Sequence, residues 1–338
     1  MPVQEFTFSQ IGNLTAAIPA LLGFTPERSL VFMFLKEDMD SPHHAIPVVA
    51  RMDIHEFQRA PRGRSAERLA RLGNAALVAI VDDRARSHDR TEHEALLRTV
   101  EAEFAAAGVT LVGAWATPAI TPDSPWWSLT DDGTGTMPDP TTEPLTAHTV
   151  LQGRNISRSR ADIEARFTLD AARSDAVAQH LRAAIDDNAA QFAAAVRANE
   201  LDEFTAREVA EIMTRIERHD PAAGADPADA AYVAARLGNS ETHYGLFRLC
   251  GSELADRAEA FWLDLTRLLP GQARAIPATL YGFSAYALRE DGVSASIAFG
   301  IALDEDPECR LARLLSHTVE CGVPPQIVRD KFGIVRPA

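Results

Sequence analysis

Two pairs of charged residues stand where short apolar runs of the sequence end. Asp82 and Asp83 directly follow the run LVAIV, and Arg51 and Asp53 close the run IPVVARMD. Both runs have the length and composition of β-strands, and in open α/β sheets ligands bind beyond the carboxyl ends of the strands. If both strands end on one side of the sheet, these residues line a polar crevice that binds a small charged molecule. The alternative is that strand ends are polar because they meet water.

Arginines gather around a predicted helix start later in the chain. Arg154 and Arg158 lie in the segment GRNISRSRAD, in which Ser159 and Asp162 have the spacing of a capping box. Guanidinium groups beside the free N–H groups of a helix start can bind a phosphate or a carboxylate. The segment therefore predicts a small-anion site, while capping alone is the other explanation of the serines.

Trp126 and Trp127 are adjacent in a segment that is otherwise rich in Pro, Asp, Thr and Gly. Neighbouring side chains of an extended backbone point to opposite faces. One indole is therefore expected in a core, and the other is expected either to cover a ligand pocket or to dock the helical part of the chain. Both residues belong to the predicted ligand-binding set.

The sequence carries no motif that identifies a reaction. The patterns GxGxxG, GxxxxGK[ST] and HExxH and the EF-hand loop are all missing from it. Cys250, Cys309 and Cys321 have no CxxC spacing, and the pair His43 and His44 lacks a third ligand at a defined spacing. We therefore predict no catalytic residue, no metal and no cofactor.

Composition limits the classes of partner. The formal net charge of the 338-residue chain is -15, and acids outnumber bases in both halves. Because nucleic-acid binding requires Lys and Arg to neutralise phosphates, DNA and RNA are not expected partners. A basic concentration does lie between Arg59 and Arg71, but nearby acids favour a solvated, internally paired face. No apolar run is long enough for a membrane span and the N-terminus lacks a signal-peptide pattern, so a cytoplasmic location is expected.

The elements that must position these residues divide the chain into two parts. In residues 1–144, strand-like runs alternate with helical patterns, which predicts a mixed sheet with flanking helices and some parallel strands. In residues 145–338 the strand signals vanish and helical periodicity continues to the end. We therefore predict the α+β or α/β class, with an α/β domain over 1–144 and an all-helical domain over 145–338.

Two helical patterns near the C-terminus are spaced like a single tetratricopeptide hairpin. Tyr286, Ala295, Phe299, Ala302 and Pro307 occupy positions of that repeat. A single repeat cannot bury both of its faces, so the predicted hairpin must pack on the surrounding helices instead of forming a solenoid. The alternative is an ordinary tight helix pair, which needs small and aromatic residues at the same places.

Five phrases of the sequence carry a family resemblance. They are PALLGFTPERSLVFMFL (19–35), VARMDI (49–54), PWWSL (125–129), LQGRNISRSRADIEA (151–165) and ALDEDPECRLARLL (302–315). In this order they resemble the uncharacterised actinobacterial domain-of-unknown-function family 4192 over nearly the whole chain. The resemblance implies ancestry and a cytosolic location, and it implies no activity, ligand or site residue.

Two functions follow from these observations. The missing catalytic signatures, the acidic composition and the helical C-terminal half favour a non-catalytic cytosolic protein-interaction or scaffold protein. The alternative is an enzyme or ligand sensor that binds a small molecule or an anion in the crevice at the sheet edge, with Arg154 or Arg158 holding the anion.

Overall fold

The computed structural model describes residues 10–37, 44–60 and 71–334. The chain divides into two compact units, Met1–Asp162 and Ile163–Ala338, so the division lies later than the predicted boundary at 144/145. The segment after the aromatic hairpin belongs to the first unit because the backbone of Ser157 pairs with that of Gly23 and Thr25. Most of the predicted basic face, at 61–70, lies outside the described residues, as does His43.

A six-stranded mixed sheet forms the first unit, as predicted. Its strands, which pair in the order β2-β1-β3-β4-β5-β6, are β1 (Ser29–Glu37), β2 (His44–Asp53), β3 (Ala75–Val81), β4 (Thr110–Thr117), β5 (Pro125–Ser128) and β6 (Thr134–Thr136). The helices around it are α1 (Ile11–Leu22), α2 (Ile54–Arg59), α3 (Thr91–Ala107), α4 (Pro144–Leu151) and α5 (Arg160–Ala165). Strands β3 and β4 are parallel because α3 carries the chain back across the sheet, and the other pairs are antiparallel.

Side chains alternate between the two faces of the sheet. On one face, Phe32 and Phe34 of β1 meet Phe104 of α3, with ring centroids 5.8 and 6.2 Å apart. These rings belong to a continuous apolar core that also includes Val78 and Ile80 of β3. The other face is covered at α1. Each strand therefore presents one set of residues to α3 and the alternate set to α1.

In the described residues, the second unit contains helices and no strand. Its α-helices are α6 (Ala171–Ala198), α7 (Leu201–Arg218), α8 (Pro227–Arg236), α9 (Ser240–Phe247), α10 (Ala255–Leu268), α11 (Ala275–Arg289), α12 (Gly292–Glu305), α13 (Arg310–Glu320) and α14 (Pro325–Phe332). The predicted change from a mixed sheet to a helical half is therefore confirmed, and the chain is of the α+β class.

Helices α11 and α12 form the predicted local hairpin. Glu290 lies between them in the left-handed region, with φ of 56°, and Asp291 caps α12 by accepting the N–H of Ser294. A Cβ on Gly282 would lie 2.6 Å from the ring of Phe299, so the missing side chain sets how closely the helices approach. Helix α11 is buried on every side, which suits a central helix. Its likeness to a tetratricopeptide hairpin stays a prediction.

Candidate functional site

The charged strand ends meet at one edge of the sheet. Ser29, which begins β1, lies opposite both Asp53 of β2 and Val81 of β3. Because β1 is antiparallel to both neighbours, β2 and β3 end at the same edge. The structure thus brings the segment containing Arg51 to the same edge as Asp82.

The charged side chains at this edge nevertheless point to opposite faces of the sheet. Arg51 and Asp53 share the face of Ser29, whereas Asp82 follows Val81 and points to the α3 side. Arg51 donates to both carboxylate oxygens of Asp53, at 2.7 and 2.8 Å, and to Oγ of Ser29 at 2.8 Å. Its guanidinium also lies 5.8 Å from the ring centroid of Phe24. The expectation of a single crevice is therefore wrong. Successive side chains of a strand point to opposite faces, so Arg51 and Asp53 lie on the face opposite Asp82, and Arg51 already binds Asp53.

Asp82 is the most enclosed charged group at this edge, with 1% of its surface exposed. Arg84 binds both of its carboxylate oxygens, at 3.1 and 3.0 Å, and adds a backbone N–H at 3.1 Å. Nε2 of His93 lies 3.1 Å from Oδ2. Burial would raise the pKa of Asp82, but the hydrogen bonds from Arg84 and His93 outweigh it and hold the pKa below its ordinary value of 3.8.

His93 also belongs to this site, although the spacing of the sequence does not single it out. The side chain is only 3% exposed and lies among the buried residues of α3, whose inward stripe continues with Leu96, Leu97 and Val100. Nε2 is the ring nitrogen that faces the Asp82 carboxylate, and Nδ1 lies on the other side of the ring. Nδ1 is buried without a hydrogen-bond partner among the described residues. An imidazole oriented by a carboxylate in this way has the form of a general base. Its position on the apolar stripe is the sequence signal that could have revealed it.

Asp83 faces water and takes a different partner. Arg28 donates to its two carboxylate oxygens at 2.9 and 3.1 Å, and both side chains are more than half exposed. The hydrogen bond from Arg28 lowers the pKa of Asp83. Arg28 has a φ of 45°, a left-handed conformation that is uncommon outside glycine. The pair lies at the turn into β1, and each of the two charges has the other as its partner.

The two tryptophans point to opposite faces. Trp127 is 2% exposed and joins the core on the α3 side. Trp126 is half-buried, and a Cβ on Gly135 would lie 2.9 Å from its Nε1 while one on Gly12 would lie 3.3 Å from it. The expected core role of one indole is thus met by Trp127. Trp126 packs over the glycine of β6 and beside the first turn of α1, so its predicted ligand contact stays a prediction.

The predicted anion segment is held by backbone pairing. Ser157 donates its N–H to the carbonyl of Gly23, and its own carbonyl accepts the N–H of Thr25. Ser159 and Asp162 exchange the two hydrogen bonds of a capping box, at 3.0 and 3.1 Å. Arg154 is half-buried and Arg158 is exposed, and neither forms an ion pair within the described residues. Their anion-binding role stays a prediction.

A mixed sheet followed by a helical half defines this chain as a two-unit protein of the α+β class. It belongs to the family described as a domain of unknown function (DUF4192), whose model matches residues 12–326, so the family resemblance is confirmed. Searches among curated proteins and among solved structures found no match.

Neither a membrane span nor a metal-ligand cluster is found in the described parts of the chain. No helix in them combines the length and the apolar character that a bilayer crossing needs. Across the same residues, no three side chains of His, Cys, Asp or Glu are grouped so that they could hold a metal ion.

Proposed function

We propose that the protein is a non-catalytic interaction or scaffold protein of the cytoplasm, and that its second unit binds an acidic amphipathic helix of a partner protein. The observation that carries this proposal is an open groove along α13, with a volume of about 590 Å³. Residues that line it include Leu303, Arg310, Arg313, Leu314, His317 and Glu320. Grooves of this kind receive one face of a helix, and the partner's apolar residues provide the contact.

The outward face of α13 supports this proposal through its spacing. Arg310, Arg313, Leu314 and His317 follow the i, i+3, i+4, i+7 pattern that places residues on one side of a helix. Leu314 leaves 61% of its surface exposed, although the opposite side of the helix is buried through Leu315. An exposed leucine beside two arginines suits a partner helix that combines apolar and acidic residues.

Charge favours an acidic partner. Arg310 has no ion pair among the described residues, and Arg313 has only Glu308, at 3.5 Å with 91% of the glutamate side chain exposed. Such an exposed pair is weak and can be replaced by a carboxylate of a partner. Arg310 and Arg313 therefore give one part of the groove a positive charge, with Glu320 elsewhere in its lining, on a chain whose formal net charge is -15. Complementary charge of this kind directs association and sets its dependence on salt.

A pair of synthetic helical peptides tests the proposal on the full chain. One carries leucines at i, i+3, i+4 and i+7 with glutamate elsewhere, and the other replaces each glutamate by lysine. We expect fluorescence anisotropy to show saturable binding of the glutamate peptide that weakens as salt is raised, and no binding of the lysine peptide. Equal binding of the two peptides, or binding of neither, contradicts the proposal.

Matched variants locate the contact. Arg310→Glu with Arg313→Glu should abolish binding of the glutamate peptide, and Leu314→Ala should weaken it about tenfold through lost apolar contact. The control is Arg182→Glu with Arg197→Glu, which makes the same charge change on exposed positions of α6. If the control pair weakens binding as much as the groove pair, the attraction is general and the groove is not the site.

A second candidate function is an enzyme or sensor for a small molecule in the first unit. It is favoured by the buried pair of Asp82 and His93, whose Nδ1 has no partner in the described residues. A ligand at 100 times its dissociation constant should stabilise the folded chain by about 2.7 kcal/mol. Thermal shifts with nucleotides, inorganic phosphate and neutral carbonyl compounds check this, and a shift that His93→Gln leaves unchanged assigns the ligand elsewhere.

A further inference from the structure

Helix α6 carries a stripe of apolar side chains that its own unit leaves exposed. Ile185, Phe192 and Val196 have 45%, 39% and 49% of their surface exposed, and Ala189 between them is exposed as well. Their spacing of four, three and four residues is that of the a and d positions of a coiled coil. We call these four residues the α6 seam. The buried residues of the helix lie on another side and are Ser174, Val177, Asn188 and Ala195.

Polar residues close the α6 seam at both ends. Arg182 lies three residues before Ile185, and Asn199 lies three residues after Val196, so both occupy the next positions of the same stripe. Among the described residues, the ion pair of Arg182 is with Asp186 of the same helix, at 3.0 Å, and both side chains are more than half exposed. Such a pair is weak, so Arg182 can exchange it for an acceptor on a second helix.

The order of residues along the α6 seam matches a second copy of the same helix in the antiparallel direction. In that arrangement Ala189 faces Phe192 of the second copy, so the smallest side chain of the seam meets the largest, and Ile185 faces Val196. A parallel copy would instead place Phe192 against Phe192 and Ala189 against Ala189. It would also bring Arg182 beside Arg182, and like charges repel. Size and charge therefore both favour the antiparallel copy.

The ends of the α6 seam also complement each other in this direction. The antiparallel copy places Arg182 opposite Asn199 and beside Glu200 of the second copy. The amide oxygen of Asn199 and the carboxylate of Glu200 can both accept hydrogen bonds from a guanidinium group. Glu200 is exposed and forms no ion pair within the described residues. Because the arrangement has two-fold symmetry, each of these contacts occurs twice.

We infer that the protein forms a weak, reversible dimer in which the α6 seams of two copies pack antiparallel. The apolar part of the seam runs only from Ile185 to Val196, which is short for a coiled coil. The dissociation constant is therefore expected at about 10–100 µM. Helix α6 contributes none of the residues that line the groove on α13, so the dimer does not depend on the proposed function.

Sedimentation equilibrium of the full chain tests the inference. The chain should change from monomer to dimer between ~1 and ~500 µM, and Ile185→Glu with Val196→Glu should weaken the dimer at least ~100-fold by placing charges in the seam. The control is Ala183→Glu with Ala194→Glu, which adds the same charges to exposed positions of α6 outside the seam and should retain the dimer. A chain that stays monomeric up to ~500 µM overturns the inference, and so does equal weakening in the two double variants.

Cross-linking determines the direction of the helices and needs no charged substitution in the seam. The background is Cys321→Ser, because the other two cysteines are buried, and Ile185→Cys and Val196→Cys are prepared in separate chains. A short bismaleimide should join an Ile185→Cys chain to a Val196→Cys chain, and an affinity tag on one of them identifies the mixed product. It should not join either variant to itself, because the same residue of two antiparallel copies lies roughly 16 Å apart. Self-linked products alone, or no cross-linked dimer at all, overturn the inference.

Discussion

Each unit of this protein buries a carboxylate, and the two sites differ in whether the cation that pairs with the carboxylate is exposed to water. Asp82 of the sheet unit and Glu208 of the helical unit are 1% and 3% exposed. The cation bound to Asp82 is Arg84, whose side chain is 51% exposed, whereas the cation nearest Glu208 is Arg236, which is 4% exposed and 4.0 Å away. A strand end thus allows a buried acid to pair with a surface cation, while a helix bundle encloses both charges.

The environment of Arg236 shows why the enclosed pair is the more demanding arrangement. Its guanidinium lies 3.2 Å from the ring centroid of Tyr232, and its Nη1 donates to the carbonyl of the same residue. Burial lowers the pKa of Arg236, and the charge of Glu208 acts in the opposite direction. Asn188 and Thr242 complete the network by donating to the Glu208 carboxylate. Arg84 can turn into water if its partner is removed, whereas Arg236 cannot.

The largest expected effect comes from removing the enclosed charge. Glu208→Gln should lower the free energy of unfolding by about 3–5 kcal/mol, because it removes the nearest counter-charge of the buried Arg236. Urea denaturation followed by circular dichroism measures the change. The control is Glu211→Gln on the same helix, whose partly exposed side chain lies 3.9 Å from Arg215 and should matter little. Equal losses in the two variants would show that enclosure is not the cause.

The equivalent change at the strand end should have a smaller effect. Asp82→Asn keeps the shape of the side chain but weakens charge-assisted hydrogen bonds, so we expect a loss of about 1.5–3 kcal/mol. Arg84 limits the loss by turning into solvent. Hydrogen exchange of the β3 and α3 amides measures the loss within the first unit. A loss as large as that of Glu208→Gln removes the contrast between the two enclosures.

Acid should act on the first unit through the same carboxylate. The folded-state pKa of Asp82 lies below 3.8, so the folded chain binds fewer protons than the unfolded chain in that range. Its contribution to stability is complete above pH 3.8 and is lost as pH falls through the lower folded value. Exchange measured from pH 6 to 3 should show protection of β3 falling at the acid end. Asp82→Asn should flatten that part of the profile, and an unchanged slope would assign it to other acids.

Within the helical unit, a close helix contact and an open helix surface should respond differently to an added side chain. Gly282→Ala should destabilise the chain by about 1–3 kcal/mol, because its Cβ would overlap the Phe299 ring. Gly300→Ala on α12 is the matched control, since a Cβ there would meet no atom within 4 Å and alanine favours helix by about 0.5–1 kcal/mol. Thermal unfolding should therefore move in opposite directions in the two variants. A shift of the same sign in both would mean that helix propensity dominates.

The smallest effect is expected at the water-facing pair. Asp83→Asn should leave the thermal unfolding midpoint unchanged within error, because Arg28 and Asp83 are both largely exposed and the surrounding water weakens their direct ion pair. Differential scanning calorimetry checks this against Asp82→Asn, its neighbour in the sequence. A marked drop for Asp83→Asn would mean that the turn at Arg28 depends on the ion pair.

Periodicity was sufficient to predict the strands and most helices, because each buries a regular stripe. The antiparallel β1 and β2, the parallel β3 and β4 and the hairpin of Trp126 and Trp127 all follow from apolar runs and turn residues. Helix α9 is short and polar, so periodicity indicates it only weakly, although Asn239 caps it. Its capping residue was a usable signal.

The candidate site was less accessible to prediction than the fold. The arrival of Arg51 and Asp82 at one edge follows from strand order, but the face that each occupies depends on register. The pairing of His93 with Asp82 depends on how α3 packs on the sheet, which local spacing does not encode. The groove on α13 consists of charged and apolar residues that are exposed. It could not be predicted from the sequence, because which side of that helix is buried depends on the fold.

The two outer strands of the sheet also bear on how the protein behaves at high concentration. Strand β6 has only three residues, and β2 carries Pro47 near the irregularity opposite Phe34 and Lys36. A short strand offers little backbone to a second molecule, and a proline lacks the N–H that would extend a ladder. Both borders thus disfavour the addition of a strand from a second molecule.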